Sequence, residues 1–390
     1  ALPHPPGLNE RFLKQLLRDQ YHLWRNETVY QGIFPVGPGS ILVARKAIEQ
    51  KSFISLDPPQ KFHYQDDDEY LEHFRELFLE VVTANARSTT PVGIQVSGGI
   101  DSSGVAAALK HLDELSGPPA QNRYLYSVVT DTFPRMDERE YLESLAERCK
   151  PWPVHTLLGE ESWPLRRNHG GELSPRDQPW TGLLWTSARD LALMAKDDGC
   201  RVILTGNGGD ELALSNPYRY PQLMFGLPAQ DLAKEWKHFV RNARSGTTLS
   251  LLTSVVSGYV KTNYSPATLN RLRKVRDSFV KPREDPVNWV TSEANPGVSE
   301  DHLENIYTGK TSSDGLVRRG FATGLFKALL NGQDTLGELA GMEIRHPYTD
   351  RRLIDFASGL PDRFFVNHGL GKRILRQAMS DFLPADIRSR

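Results

Sequence analysis

The stretch Val92-Gly-Ile-Gln-Val-Ser-Gly-Gly-Ile-Asp-Ser-Ser103 decides the fold of this chain. Its first five residues form a short, mainly apolar run bounded by turn residues, which is typical of a buried β-strand. The alanine-rich segment that follows, residues 103–112, is typical of a helix. The stretch therefore predicts a strand, a glycine turn and a helix in direct succession.

The alternation of strand and helix continues outward from this stretch. The spacing of Tyr70, Phe74 and Phe78 predicts an amphipathic helix of about four turns before it. Further strands are predicted at 124–129, 154–158 and 201–205, and further helices at 137–149 and 186–196. Such alternation predicts an α/β fold, in which crossover helices flank a parallel twisted sheet. After residue 220 the pattern is mostly helical.

The composition is ordinary for a globular protein. Hydrophobic residues make up 39% of the chain, charged residues 24%, and the formal net charge is -1. This balance gives no indication of nucleic-acid binding, and no apolar run approaches the roughly 20 residues that a membrane helix needs. Cys149 and Cys200 are too few for a disulfide framework. We therefore expect a soluble cytoplasmic protein whose partners include neither nucleic acid nor membrane.

Two glycine clusters follow strands of the predicted sheet. The first is Ser97-Gly-Gly99, and the second is Gly206-Asn-Gly-Gly-Asp-Glu211. Ligands of open parallel sheets bind beyond the carboxyl ends of the strands. We therefore expect both clusters to line one ligand site.

The first cluster has the chemistry of a pyrophosphate-binding turn. Gly98 and Gly99 remove side chains, so that backbone N–H groups can face phosphate oxygens, and the following helix directs its positive end at the same anion. Hydroxyl donors are available from Ser97, Ser102 and Ser103. Asp101 repels phosphate but can hold a Mg²⁺ ion that bridges phosphates. The plainer alternative is a serine-rich turn in which Asp101 only caps the helix.

This six-residue pattern resembles the SGGxDS fingerprint of the ATP pyrophosphatase superfamily. The resemblance implies an adenine nucleotide alpha hydrolase-like fold and ATP as the ligand. No Gly-Lys-Ser/Thr follows the turn, so it is not a Walker loop, and transfer of the γ-phosphate is disfavoured.

The second cluster resembles the G-x-G-x-D-E loop of the asparagine synthetases. The resemblance implies that Gly206, Asn207 and Gly208 contact the nucleotide. It also implies that Asp210 is a second Mg²⁺ ligand, opposite Asp101. The alternative is a glycine-rich helix start that Asp210 caps.

Later segments resemble other parts of the same family. The segment Gly341-Met-Glu-Ile-Arg-His-Pro-Tyr-Thr-Asp350 is similar to its E-x-R-x-P-F-x-D motif. This similarity implies that Glu343 lies near the reaction centre, whereas Arg345 and Asp350 are expected in structural ion pairs. Lys372 matches the lysine that neutralises departing pyrophosphate. Val128, at the end of its strand, is expected to flank adenine.

The resemblance divides the chain into two parts. Residues 65–390 resemble the asparagine-synthetase-like ATP pyrophosphatase domain. Residues 1–60 are expected to be the remnant of an amino-terminal glutaminase-like domain, because Tyr30-Gln-Gly-Ile33 and Gly37-Pro-Gly39 resemble its last strands. The family activity implied is an AMP-forming carbon–nitrogen ligase, which adenylylates a carboxylate with ATP and Mg²⁺ and joins it to an amine.

Asn207 separates this chain from two subgroups of the family. Asparagine synthetases carry Glu at this position and β-lactam synthetases carry Tyr, whereas an amide cannot act as a general base. An α-amino nucleophile needs less help, because its pKa of about 7.7–8.0 leaves it partly neutral. The chain is in this respect most similar to the lasso peptide cyclases, which form a macrolactam between a peptide N-terminus and an Asp or Glu side chain. Their partners would be a precursor peptide and a leader peptidase.

Three alternatives stay open at this point. The chain could act as a glutamine-hydrolysing asparagine synthetase, or as a β-lactam-synthetase-like enzyme on a small molecule with a free carboxylate and amine. It could also be a nucleotide-binding scaffold without activity, an idea that Asn207 motivates.

Overall fold

The computed structural model describes residues 6–17, 27–37, 39–45, 48–52, 62–117, 119, 121–162, 185–214, 229–242, 317–318, 320–367 and 370–390. Of the part predicted to be mostly helical, residues 243–316 lie outside these ranges. The described strands are β1 Ser40–Ala44, β2 Ile48–Ser52, β3 Val92–Gln95, β4 Arg123–Val129, β5 Val154–Leu158, β6 Val202–Leu204, β7 Glu343–Arg345, β8 Val366–Asn367 and β9 Leu370–Gly371. The described helices are α1 Glu10–Leu17, α2 Asp67–Asn85, α3 Ile100–Ser116, α4 Arg139–Arg148, α5 Trp185–Asp197, α6 Gly209–Leu212, α7 Ala229–Asn242, α8 Gly324–Ala340, α9 Arg351–Ser358, α10 Arg373–Ala378 and α11 Ala385–Ser389.

Five strands form the central parallel sheet, in the order β5-β4-β3-β6-β7. The four strands predicted from sequence are confirmed, and so are the helices between them. The inner strands β3 and β6 have four and three residues. They are buried because helices cover both faces of a parallel sheet. The fifth strand, β7, was not predicted.

The two faces of the sheet pack against different helices. On one face Leu125 and Leu204 join a large core with α2, α3, α9 and α10. On the other face Tyr126 and Ile203 pack with α5 and with residues at the end of α8. Neighbouring residues of one strand point to opposite faces, which explains why consecutive residues belong to different cores.

Helix α3 lies close to the carboxyl-terminal part of the chain because its residues are small. A Cβ built at Gly104 would be 2.7 Å from Met379 Sδ and 3.0 Å from the Tyr348 hydroxyl oxygen. Ala106 to Ala108 are fully buried on the same helix. This approach brings α10, and the residue that precedes it, next to the first turn of α3.

The amino-terminal segment contacts the main body through apolar side chains. Phe12 of α1 and Val29 are buried and pack with Ala328 of α8. The two pieces of this segment are joined by a bond from the Asn9 N–H to the Val29 carbonyl, 2.7 Å. Strands β1 and β2 form an antiparallel hairpin. That residues 1–60 are the remnant of a further domain stays a prediction.

Among the described helices, none combines the length and apolar character that crossing a bilayer requires.

Candidate functional site

The turn between β3 and α3 requires glycine at residue 98. Gly98 has φ +71°, in the left-handed region that side-chain-bearing residues avoid. A Cβ there would lie 2.8 Å from Tyr141 Cβ and 3.2 Å from the Glu138 carbonyl oxygen. The absence of a side chain therefore lets the backbone pass close to the start of α4. It also leaves the backbone N–H groups of the turn open to a ligand.

The serines of this turn do not all face the same way. The Ser97 N–H donates to Ser102 Oγ at 3.1 Å, and the Ser97 side chain is exposed. Ser103 is 0% exposed, and its hydroxyl has no hydrogen-bond partner in the part of the chain that the structure describes. One further step around the helix turns the Ser103 side chain toward the core, so its contact with a ligand stays a prediction.

The second glycine cluster lies directly against the first. A Cβ at Gly206 would be 2.5 Å from the Ser102 backbone nitrogen, and one at Gly209 would overlap the carboxyl carbon of Asp101. Gly208 has φ +93°. Since side chains at these positions would separate the two loops, the glycines are what brings both predicted clusters together at one edge of the sheet.

Lys372 lies between two carboxylates that come from different loops. Its Nζ contacts Asp101 Oδ2 and is 2.7 Å from Asp210 Oδ1. The Lys372 side chain is 12% exposed and that of Asp101 17%, whereas that of Asp210 is 64% exposed. The structure therefore brings three of the four residues predicted as catalytic to one point.

The charges of this cluster compensate one another. Burial raises the pKa of the Asp101 carboxyl, and the neighbouring Lys372 ammonium opposes that shift. Burial by itself lowers the pKa of Lys372, but the charges of Asp101 and Asp210 outweigh burial and raise it above its ordinary value. Lys372 is accordingly a stable ammonium, and it offsets the repulsion between the two carboxylates.

The backbone of Lys372 is strained. Its φ of +63° places an L-residue with a long side chain in the left-handed region, which costs about 1–2 kcal/mol. Its N–H donates to the Phe365 carbonyl at 3.1 Å, and its carbonyl accepts from the Arg376 N–H at 3.0 Å, so the conformation is fixed on both sides. Strain of this kind concentrates at functional positions.

The residues present fit a hard divalent cation. Asp101 Oδ1 is buried and lacks a hydrogen-bond partner within the described ranges, so one carboxylate oxygen is available as a ligand. In the same ranges no group of three or more His, Cys, Asp and Glu side chains is placed to hold a metal. Asp101 and Asp210 would thus hold Mg²⁺ as a pair, with phosphate oxygens and water completing its shell.

Two other predicted residues lie at this edge of the sheet. Asn207 follows β6, and its N–H donates to Thr205 Oγ1 at 3.2 Å. Val128 is the second-last residue of β4, the strand beside β3, and it is 37% exposed. An apolar side chain left open beside the turn can contact a flat heterocycle, although its part in adenine binding stays a prediction.

Glu343 is not part of the cluster, and the expectation that it lies near the reaction centre is corrected. It begins β7 and is in register with Val202, the first residue of β6, so it lies at the amino edge of the sheet. Its carboxylate pairs with Arg345 at 2.8 Å. Arg345 also donates to the carbonyls of Asn85 and Arg87, each at 2.7 Å. This end of β7 is structural, as the predicted ion pair of Arg345 implied.

The segment 341–350 contributes two residues that sequence reasoning missed. The Tyr348 hydroxyl is buried and donates to the Asp101 backbone carbonyl at 3.0 Å, which holds the first turn of α3. His346 Nδ1 is 2.7 Å from Thr205 Oγ1. Both residues follow β7, whose carboxyl end adjoins that of β6. Their closeness to the glycine loops could not be predicted, because β7 was not recognised as a strand.

Comparison with known proteins places the chain in a family. The family model described as Asparagine synthase matches residues 73–390, so the chain belongs to that family.

Among its relatives is Amidase chyE of Penicillium rubens, which is 25% identical over 428 residues, covering 98% of this chain and 61% of the relative. Amidase chry2 of Gibberella zeae is 29% identical over 221 residues, covering 53% of this chain and 32% of the relative. Asparagine synthetase [glutamine-hydrolyzing] 3 of Bacillus subtilis is 23% identical over 338 residues, covering 83% of this chain and 48% of the relative. The chain thus spans less than two thirds of the length of each of these proteins.

Proposed function

We propose that this chain binds ATP with Mg²⁺ between its two glycine loops, adenylylates a carboxylate and joins it to an amine. One observation carries the proposal: Asp101 and Asp210, from different loops, meet at one cationic nitrogen beside a turn that only glycine can form. Membership of the asparagine synthase family supports the same activity.

The first loop would bind the β- and γ-phosphates. The N–H groups at Gly98 and Gly99 and the positive end of α3, a helix of 17 residues, form an anion site. The exposed hydroxyl of Ser97 adds a donor. Holding the phosphates here leaves the α-phosphorus for in-line attack by a carboxylate oxygen.

The reaction balances in two steps. The carboxylate oxygen bonds to the α-phosphorus, while the bond between the α-phosphorus and the oxygen that bridges it to the β-phosphate breaks. This step releases pyrophosphate and leaves an acyl-adenylate. The amine nitrogen then bonds to the acyl carbon, AMP leaves with its oxygen, and the amine proton passes to solvent. Bound Mg²⁺ supplies charge neutralisation of the phosphates. Lys372, whose ammonium nitrogen now contacts the carboxylates, would pair with the departing pyrophosphate.

The identity of the amine is a finer proposal. Asn207 cannot take a proton from the nucleophile, so we propose an α-amino group that is already partly neutral. Macrolactam formation within a peptide, with a precursor peptide and a leader peptidase as partners, fits this requirement. Asparagine formation is the second candidate, because the similarity to the Bacillus subtilis synthetase covers 83% of this chain.

We further propose that the protein works in the cytoplasm. Cys149 and Cys200 are both buried and neither forms a disulfide in the structure. Unpaired cysteines of this kind fit a reducing compartment.

Exchange of radiolabelled pyrophosphate into ATP tests the activity directly. We expect exchange to require Mg²⁺ and a suitable acid, supplied as aspartate or as peptides with an acidic side chain and a free N-terminus. Asp101→Asn and Asp210→Asn should each abolish it. Glu343→Gln, a carboxylate at the opposite edge of the sheet, is the matched control and should retain exchange.

The products separate the candidates. A peptide that loses one water in the presence of ATP identifies macrolactam formation, whereas AMP release that depends on aspartate and ammonia identifies asparagine formation. Nucleotide binding without exchange for any acid would refute the ligase proposal in favour of a scaffold.

A further inference from the structure

A partly buried hydrogen-bond chain connects the segment 341–350 to the second glycine loop. Thr205 Oγ1 is 2.7 Å from His346 Nδ1 and accepts the Asn207 N–H at 3.2 Å. Thr205 itself is buried, and its backbone N–H donates to the Arg345 carbonyl at 3.0 Å. The hydroxyl therefore lies between two fixed strand ends, with one partner on each side.

The Thr205 hydroxyl can hold both of its partners at once. A threonine hydroxyl has one proton to donate and lone pairs that accept. Since Thr205 Oγ1 accepts the Asn207 N–H and still has its own proton and a second lone pair, it can bond Nδ1 of a neutral His346 ring either as donor or as acceptor. Burial lowers the pKa of His346 to about 4, so the ring is neutral at ordinary pH. Nε2 is buried without a hydrogen-bond partner in the described part of the chain.

The loop that this chain holds has little freedom. Gly206, next to the hydroxyl, lies against the Ser102 backbone, and Gly209 lies against the Asp101 carboxyl group. Asp210 is the following residue. A displacement of the Asn207 backbone would thus change the distance between the Asp101 and Asp210 carboxylates.

We propose that His346 is a positioning residue, which acts through the Thr205 hydroxyl to set the loop that places Asp210 opposite Asp101. The inference rests on the proposed function of this site, since it assigns His346 to the arrangement that holds the metal–nucleotide. His346 touches neither substrate nor metal in this scheme.

The experiment uses pairs of variants that keep or remove one atom. His346→Asn keeps an amide that can donate or accept near the position of Nδ1, whereas His346→Leu keeps volume and removes the polar atom. Thr205→Ser keeps the hydroxyl, whereas Thr205→Val is an isostere without it. Hydrogen–deuterium exchange is measured on the peptide that contains Asn207, in the full chain without nucleotide.

Loss of one hydrogen bond of about 1 kcal/mol corresponds to a roughly fivefold change in amide protection. We expect faster exchange by about that factor in Thr205→Val and His346→Leu, wild-type exchange in Thr205→Ser and His346→Asn, and no additional effect in the double variant Thr205→Val/His346→Leu. Independent, additive effects would overturn the proposal. Should His346→Leu fail to fold, His346→Phe, which keeps a ring and removes the polar atom, takes its place in the comparison with His346→Asn.

The catalytic readout is the pyrophosphate-exchange rate. We expect kcat/KM for Mg·ATP to fall about fivefold in His346→Leu and to recover in His346→Asn, because about 1 kcal/mol of positioning is lost and regained. Equal losses in both variants would overturn the positioning role in favour of a packing role. The wild-type chain also separates the two proposals. If its Asn207 amide is protected but it does not exchange pyrophosphate into ATP, the proposed function is refuted and the hydrogen-bond chain stands.

Discussion

Replacing Lys372 with methionine keeps the length and apolar stem of this side chain and removes its ammonium group. The backbone contribution cancels, because both residues would have the same positive φ of +63°. The difference in stability between the two proteins therefore reports the interaction of the ammonium with Asp101 and Asp210.

The magnitude follows from burial. Removing one partner of a buried ion pair costs about 3–5 kcal/mol. Because the Lys372 and Asp101 side chains are 12% and 17% exposed rather than fully buried, we expect the lower end, about 3 kcal/mol. Asp210 is 64% exposed, so its share is at most about 1 kcal/mol. Urea unfolding followed by circular dichroism measures the loss, and Lys150→Met, a side chain that is 67% exposed, is the control.

Magnesium distinguishes this explanation from a general packing defect. Without the ammonium, two carboxylates face each other with an open position between them, so Mg²⁺ alone should bind the variant better than the wild type. At a hundredfold excess over its Kd it would restore about 2.7 kcal/mol. The reasoning is refuted if Lys372→Met loses less than about 1 kcal/mol, or if Mg²⁺ stabilises both proteins equally.

Two further predictions concern single residues of the site. The folded-state pKa of His346, about 4, lies below its ordinary value because the ring is buried. The neutral ring therefore contributes to the free energy of unfolding above about pH 6.5. This contribution, about 3 kcal/mol in total, is lost as the pH falls toward 4. His346→Asn, compared with the wild type by urea unfolding at pH 7 and 4.5, should show a smaller loss on acidification; equal losses would contradict the assignment. Gly98→Ala should destabilise the protein and abolish ATP binding in calorimetry, because a Cβ would be 2.8 Å from that of Tyr141. Gly117→Ala shares the positive φ but has nothing within 4 Å, and equal effects in the two variants would show that strain, not the clash, matters.

The sheet could be predicted where burial leaves its mark on the sequence. Strands β3 and β6 are apolar runs between turn residues, and this pattern was sufficient to place them. Strand β7 has only three residues, two of them charged, and it is a strand because it pairs with β6. Such pairing depends on tertiary contact, which a local pattern does not contain.

The sequence named most residues of the candidate site but did not show where each side chain points. Asp101 and Lys372 are 271 residues apart along the chain, so motif order could name both but could not show that one nitrogen contacts two carboxylates. Ser103 was assigned to the site for its hydroxyl group, and Glu343 by motif membership. The phase of a helix turns the first away, and the direction of a strand puts the second at the opposite edge.

The close contact of the two loops has a consequence for how this protein could be altered. Positions 206, 208 and 209 cannot accept a side chain without parting the loops or straining the backbone. Within the run 206–209, residue 207 alone already carries a side chain, so it is the position at which we expect a substitution to leave the contact between the loops in place. Under the proposed function, a library confined to this single codon, with Glu and Tyr among its members, would test which nucleophiles can attack the activated carboxylate.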